Sequence, residues 1–392
     1  MQRAMLFGLC VLGIAAATAA VGLAGIAGRV TYAAGRGGGD ATQASTSWRL
    51  GDGVTYENMT VFPVLSKQSA DTRGYETLDE ALSSGDAVVT ESGTNAMRRW
   101  REGSGPTPEY YVEGAQVNQL VLVYRGKRPL VLLAGELVSG GKQDRIIGKD
   151  RIVPVGAQPL PLDVFCVEHG RWSDGDKFSA SNIIVHPSVR EKAAVDQEQE
   201  SVWNAVSSGS TASVAVTEDA PQVTAAAPPP LSRQAVAGAI ASRAPTQSYA
   251  KIYDSPTSGI PVGAFADEMQ RRFDRATSGL KDERVIGVVV AYGGEVAWSD
   301  VFASPELFAS YWPKLLRSYV VEALARPATH EHATLDDARQ FLMPLIGRET
   351  TESEPGVYRW REVSNERYAE ISLDTLAPSE LQLHWLKIHR SN

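Results

Sequence analysis

Apolar residues follow two rhythms along this chain. Before about residue 170 they come in short runs broken by Gly, Pro and polar turns, as in strands; after about residue 260 they also recur at helical spacing. Val54–Leu65 reads as extended, and Pro63 within it predicts an edge strand or a bulge, because proline cannot donate to a ladder. Thr77 and Glu80 form a capping box around Leu78, Ala81 and Leu82, and Gly85 stands where a left-handed residue ends a helix. Val88–Glu91 predicts a strand leading into a loop, Ser92–Glu109. Val117–Tyr124 and Leu130–Val138 are apolar on successive residues, which predicts strands covered on both faces. The five-residue connection Arg125–Pro129 predicts that they pair as a hairpin. Arg151–Val155 and Leu160–Val167 continue the series.

Ser188 with Glu191 predicts a second capping box, opening a helix with Val195, Val202, Trp203 and Val206 on one face. The stretch Ser207–Ala250 is poor in charge and rich in Ala, Ser, Thr and Pro, a low-complexity insertion in which Leu231–Arg243 is an Ala-rich helical candidate. Phe265, Met269, Phe273 and Ala276 then mark a helix face ending at Gly279. Arg284–Tyr292, Gly293-Gly294 and Glu295–Phe302 read as strand, turn and strand. Ser304-Pro305 starts a helix whose stripe from Leu307 to Val320 Pro313 should kink or split. Thr334 caps a further helix with Leu335, Ala338, Phe341, Leu342 and Leu345, and two or three strands follow at Tyr358–Trp360, Ala369–Leu373 and Leu381–His389. The fold class is α+β: a β-rich first half around the Val117–Val138 hairpin, and a second half of hairpin plus helices completing one core. Residues 48–347 form the domain, the insertion falls at about 207–250, and residues 348–392 are a β-rich C-terminal extension.

Composition narrows the class. The chain has 392 residues, 43% hydrophobic and 21% charged, ordinary for a globular protein with a sizeable core. A net charge of −8 speaks against a broad basic face for nucleic acid, and none is expected as partner. Residues 1–34 read as an export leader: Arg3, an uncharged Ala4–Gly28, then small-residue sites at Gly25-Ile26-Ala27 and Thr31-Tyr32-Ala33. The uncharged run exceeds the ~20 residues that span a bilayer, so an uncleaved anchor over 4–28 is the alternative, and the only contact expected with a membrane. Either way the domain lies outside the cytoplasmic membrane, behind a flexible tether at 35–47. With Cys10 in the leader, Cys166 has no partner to oxidise with.

Chemistry-bearing residues are densest after Leu130–Val138. Ser139-Gly140-Gly141 delivers Lys142, Gln143, Asp144 and Arg145, and such a turn can gather backbone amides into an anion-holding nest flanked by a point charge and a guanidinium fork. A solvated strand-to-strand turn would carry the same residues. It is not a P-loop, since Glu136 stands where the first glycine belongs and Gln143 where Ser or Thr belongs. A second polar turn, Glu168-His169-Gly170-Arg171-Trp172, closes the strand at Leu160. Each of Glu136 and Glu168 ends a strand, so the two could form an acid/base pair at one sheet edge, or simply anchor cations. His330-Glu331-His332 lacks a third ligand, and no metal or cofactor is expected.

VSGGKQDR after the Glu136 strand, CVEHGRW at Cys166–Trp172, VTYENMTVFPV at Val54–Val64 and TLDEAL at Thr77–Leu82 together resemble the ARG and rhodanese-phosphatase-superfamily-associated protein domain. The similarity covers about Trp48–Val206 and extends to about Gly347. The resemblance implies a fold and no established activity. It places Glu136, Gly140, Gly141, Lys142, Gln143 and Arg145, with Glu168, Gly170, Arg171 and Trp172, in the family's polar motifs. Three functions remain open: a binding or sensing module for an anionic small molecule such as a nucleotide, ADP-ribose or sugar phosphate; a hydrolase using Glu136 or Glu168; and a structural or partner-binding module.

Overall fold

The computed structural model describes residues 29–32, 48–91, 119–168, 175, 177–208, 249–253, 261–326 and 329–391. The Ala4–Gly28 run, the 35–47 tether, the Ser92–Glu109 loop, the Leu231–Arg243 helix and His169–Trp172 lie outside these residues. Among the described residues no helix is long and apolar enough to cross a membrane.

The fold is mixed α+β. A closed six-stranded barrel is formed by β6 (Ala87–Glu91), β7 (Gln119–Tyr124), β9 (Glu136–Gly140), β10 (Arg145–Ile147), β12 (Leu160–Cys166) and β13 (Lys177–Ile184), in the order β10-β12-β7-β6-β13-β9. Its inner face repeats every second residue: Val89, Leu120, Leu122, Val138, Ile147, Leu162, Val164 and Phe178 share one apolar cluster. A three-stranded sheet of β5 (Glu76–Thr77), β8 (Leu130–Leu132) and β11 (Arg151–Val153) lies alongside.

The second body is a ten-stranded sheet. It runs from β1 (Arg29–Tyr32) through β16 (Arg348–Glu354), β17 (Tyr358–Ser364), β18 (Tyr368–Thr375), β19 (Leu381–His389), β15 (Glu295–Phe302), β14 (Arg284–Tyr292) and β4 (Met59–Ser66) to β2 (Trp48–Leu50), with β3 (Val54–Tyr56) also on β4. Arg29–Tyr32, counted with the leader at the level of sequence, is thus an edge strand paired with β16. The tail, read as an extension, enters the middle of the sheet, with β19 paired to β15. Sheet and barrel share one core, in which Val131, Leu137 and Ile184 pack in the same cluster as Val288, Trp298, Leu315 and Leu386. On β14, Val288 and Val290 face that cluster while Val289 and Ala291 face another on the far side, which is why the run is apolar throughout.

The expected caps hold at α1 (Leu78–Ser84), where Thr77 and Glu80 form the box and Gly85 is left-handed, and at α6 (Leu335–Phe341), capped by Thr334. The Gly293-Gly294 hairpin is present, with Tyr292 opposite Glu295. Ser304 caps α5 (Pro305–Ala325), which runs through Pro313 as one helix.

Three local expectations are corrected, and one strand was not expected. Val117–Tyr124 and Leu130–Val138 do not pair: β7 lies between β6 and β12, and β8 between β5 and β11. The Arg125 amide donates to Asp86 O instead of closing a hairpin turn, and both edges of β7 are taken by other strands. Pro63 sits inside the sheet, with β14 on one side. On the other side its carbonyl accepts from Gly51, in the gap between β2 and β3. N–H and C=O of one strand residue point the same way, so the missing donor faces the break, where no ladder bond is lost. The helix near Ser188 is capped at His186, not by a Ser188 box: α2 (Pro187–Glu191) has no side-chain cap, and the Ser188 hydroxyl donates to Glu322. It passes into a π turn at Lys192–Asp196 before α3 (Gln199–Ser208), so the expected single helix is broken at left-handed Gln197. Finally, β13 has no counterpart among the expected strands. Its KFSASNII is too rich in Ser and Asn to read as apolar, yet it closes the barrel.

Candidate functional site at one end of the barrel

Antiparallel pairing around the barrel fixes which connections share an end. Glu91 lies opposite Leu120, Gln119 opposite Asp163, Arg145 opposite Cys166 and Val138, and Phe178 opposite Gly140. The β6–β7, β9–β10 and β12–β13 connections therefore all leave from the same end. Both polar segments singled out in the sequence are there: the Gly140–Arg145 turn and the chain entering Glu168. Arg171 and Trp172 fall outside the described residues.

Period-two alternation turns three polar side chains into this mouth: Glu91 in phase with Val89, Arg145 with Ile147, and Cys166 with Val164. Arg145 is 1% exposed; its Nη1 donates to Gln143 O at 2.9 Å and its Nη2 lies 3.8 Å from Glu91 Oε1. Arg145 Nε and Gln143 Oε1 are buried without hydrogen-bond partners. Lys142 is half-buried at the rim. Burial pushes the Cys166 thiol up to about 11, although Arg145 pulls it down.

The expected amide nest is filled from within. Gly140 N–H donates to Asp144 Oδ1 at 3.1 Å, Gly141 N–H to Lys177 O at 2.9 Å, Lys142 N–H to Glu91 Oε1 at 3.1 Å and Asp144 N–H to Glu168 Oε2 at 2.9 Å. Gly140 and Gly141 take φ of 124° and 55°, and a Cβ on Gly140 would stand 2.6 Å from Lys177 O, so these glycines serve close strand approach. The Tyr249 amide, heading a 3-10 turn at Tyr249–Tyr253, donates to Glu168 Oε1 at 2.5 Å. Glu168 is thus a buried fastener of the mouth.

Glu136 is elsewhere. It begins β9, so it stands at the opposite end of the barrel from Gly140, about 13 Å of strand away at ~3.3 Å per residue. There its Oε2 accepts from Leu133 N at 2.7 Å and its Oε1 from Lys314 Nζ at 2.5 Å; Lys314 also donates to Asp79 at 2.6 Å. Burial raises the Glu136 carboxyl against the pull of Lys314. For Lys314 burial acts downward and is outweighed by Glu136 and Asp79. Glu136 and Glu168 stand at opposite ends of the barrel, which removes the geometric basis of the acid/base pair.

One buried polar assembly was missed in the sequence. Asp150, Arg190, Asp300 and His384 are at most 1% exposed and bonded in a chain. A signal existed: Asp300 in AWSDVF, Lys314 in YWPKLL, Glu322 in YVVEAL and His384 in LQLHWL are single charges inside apolar runs. A charge buried so is held by a partner.

Comparison with known proteins agrees with the motifs. No curated protein and no solved structure matches the chain. A family model, that of the ARG and Rhodanese-Phosphatase-superfamily-associated Protein domain, matches residues 47–386, from the first strand of the domain into β19. That span takes in the barrel, the large sheet apart from β1 and the end of β19, and both polar segments, and the chain belongs to this family.

Proposed function

We propose that the protein binds or senses an anionic small molecule of the nucleotide, ADP-ribose or sugar-phosphate kind at the Gly140–Glu168 end of the barrel. The supporting observation is the meeting of the two polar segments there, with buried Arg145 inside the mouth. Because internal acceptors hold four amides of the turn, recognition falls to side chains. Arg145 Nε is an unpaired buried donor and Gln143 Oε1 an unpaired buried acceptor, and a sugar phosphate brings an acceptor and a hydroxyl donor together. Each such group left unpaired costs about 1–3 kcal/mol, which a ligand would recover. Lys142 adds a charge at the rim, and Arg171 and Trp172 follow Glu168 in sequence.

Thermal unfolding with ATP, ADP-ribose and glucose 6-phosphate tests this reading. A ligand at 100 times its Kd raises stability by about 2.7 kcal/mol. The stabilisation, measured against each variant's own baseline, should vanish when Lys142→Ala is combined with Arg145→Ala. No stabilisation of the wild type, or equal stabilisation of the double variant, overturns it.

A further inference from the structure

His384 joins the two halves of the molecule. Its Nδ1 lies 2.6 Å from Asp150 Oδ2, on the turn between β10 and β11, and its Nε2 lies 2.9 Å from Asp300 Oδ1, on β15. Asp150 Oδ1 accepts from the Ala134 amide at 2.7 Å. Asp300 Oδ2 accepts from Arg190 Nη1 at 3.0 Å, from Trp298 Nε1 at 2.7 Å and from Tyr319 OH. Both carboxylates are therefore surrounded by donors, as anions are. An imidazole with a carboxylate on each nitrogen satisfies both only when both nitrogens carry protons. Two anions, Arg190 and a charged His384 then sum to zero in a site closed to water.

We infer that His384 is a buried imidazolium clasping Asp150 of the first half to Asp300 of the second, and that its deprotonation loosens this join, making the fold sensitive to mildly alkaline pH. The groups acting on the two carboxylates come from several elements: Arg190 on α2 and Tyr319 on α5 bond Asp300, Tyr292 on β14 feels the charge of Asp300 and Tyr311 on α5 that of Asp150, while the uncharged Phe302 ring lies 4.7 Å from His384. None of these supplies a second cation to replace His384 between the two carboxylates. Burial alone would lower the imidazolium pKa, but Asp150 and Asp300 outweigh it and hold it at about 8, above the ordinary 6.5. A raised folded value means that the stabilisation is complete below 6.5 and fades as pH rises through 8.

The experiment is a pH titration of the full chain from 6 to 9.5, following the imidazole nitrogens by two-bond proton–nitrogen spectra and unfolding temperature in parallel. The His384 signals are assigned through His384→Gln or, should that variant not fold, by substituting the other five histidines one at a time. The expected result is double protonation at pH 6.5, a midpoint near 8 and a fall in unfolding temperature across the same interval. Asp150→Asn should shift the midpoint downward. A neutral ring at pH 6.5, an unfolding temperature indifferent to the titration, or a midpoint unmoved by Asp150→Asn each overturns the inference.

Discussion

The Asp144 amide donates to the Glu168 carboxylate over 2.9 Å, tying the glycine turn after β9 to the chain leaving β12. The other oxygen of Glu168 takes the Tyr249 amide, so one buried side chain fastens three segments that are remote in sequence. Glu168→Ala strands these donors, at about 1–3 kcal/mol for each buried group left unpaired. Glu168→Gln keeps one carbonyl acceptor and should lose less. Urea denaturation of the two variants reads the order, and equal losses would mean that these bonds do not hold the mouth.

Gly135 has φ of 87°, and a Cβ there would stand 2.7 Å from Arg190 Cγ. Gly85 has φ of 82° and open space around it. Both Gly→Ala changes carry the left-handed penalty of about 1–2 kcal/mol. Only Gly135→Ala also pushes the arginine that holds Asp300. It should destabilise by at least about 1 kcal/mol more than Gly85→Ala, the lower end for forcing atoms into a packed core. Chemical denaturation compares them directly.

Lys314 is the sole cation bonded to both Glu136 and Asp79 among the described residues. Removing one partner of a buried ion pair leaves an uncompensated charge and costs about 3–5 kcal/mol. Lys314→Met should fall in that range, and Glu136→Gln added to it should restore part of the loss. Strictly additive effects in the double-mutant cycle would show that the pair is not coupled.

Cys166 is fully buried, and its thiol is pushed up to about 11 by burial, against the pull of Arg145. The thiolate is the reacting form, so at pH 8 the folded chain should leave Cys166 unalkylated by iodoacetamide over hours, while in urea it labels readily. Mass spectrometry of the Cys166 peptide decides, and rapid labelling under native conditions would contradict the burial.

What could be read from the chain alone was whatever neighbouring residues enforce on each other. Thr77 with Glu80, Ser304 before Pro305 and Gly293-Gly294 act across a few residues, so the sequence alone determined those caps and that turn. The α+β class, and a core shared by both halves, followed from apolar periodicity. The polar turn at Gly140–Arg145 was visible as a composition break. Its amides were not predictable, because Glu91 and Glu168, which hold two of them, arrive from 51 and 24 residues away.

Tertiary structure alone decided the rest. Strand pairing is a choice among distant partners, and β7 joins β12 rather than the nearer Leu130 strand because closing the barrel satisfies both of its edges. That choice sends Glu136 and Glu168 to opposite ends. It also decides which charges meet in the interior: Asp150, Arg190, Asp300 and His384 stand far apart in the chain, and only the packing of barrel against sheet withdraws them together from water, where each must find a partner.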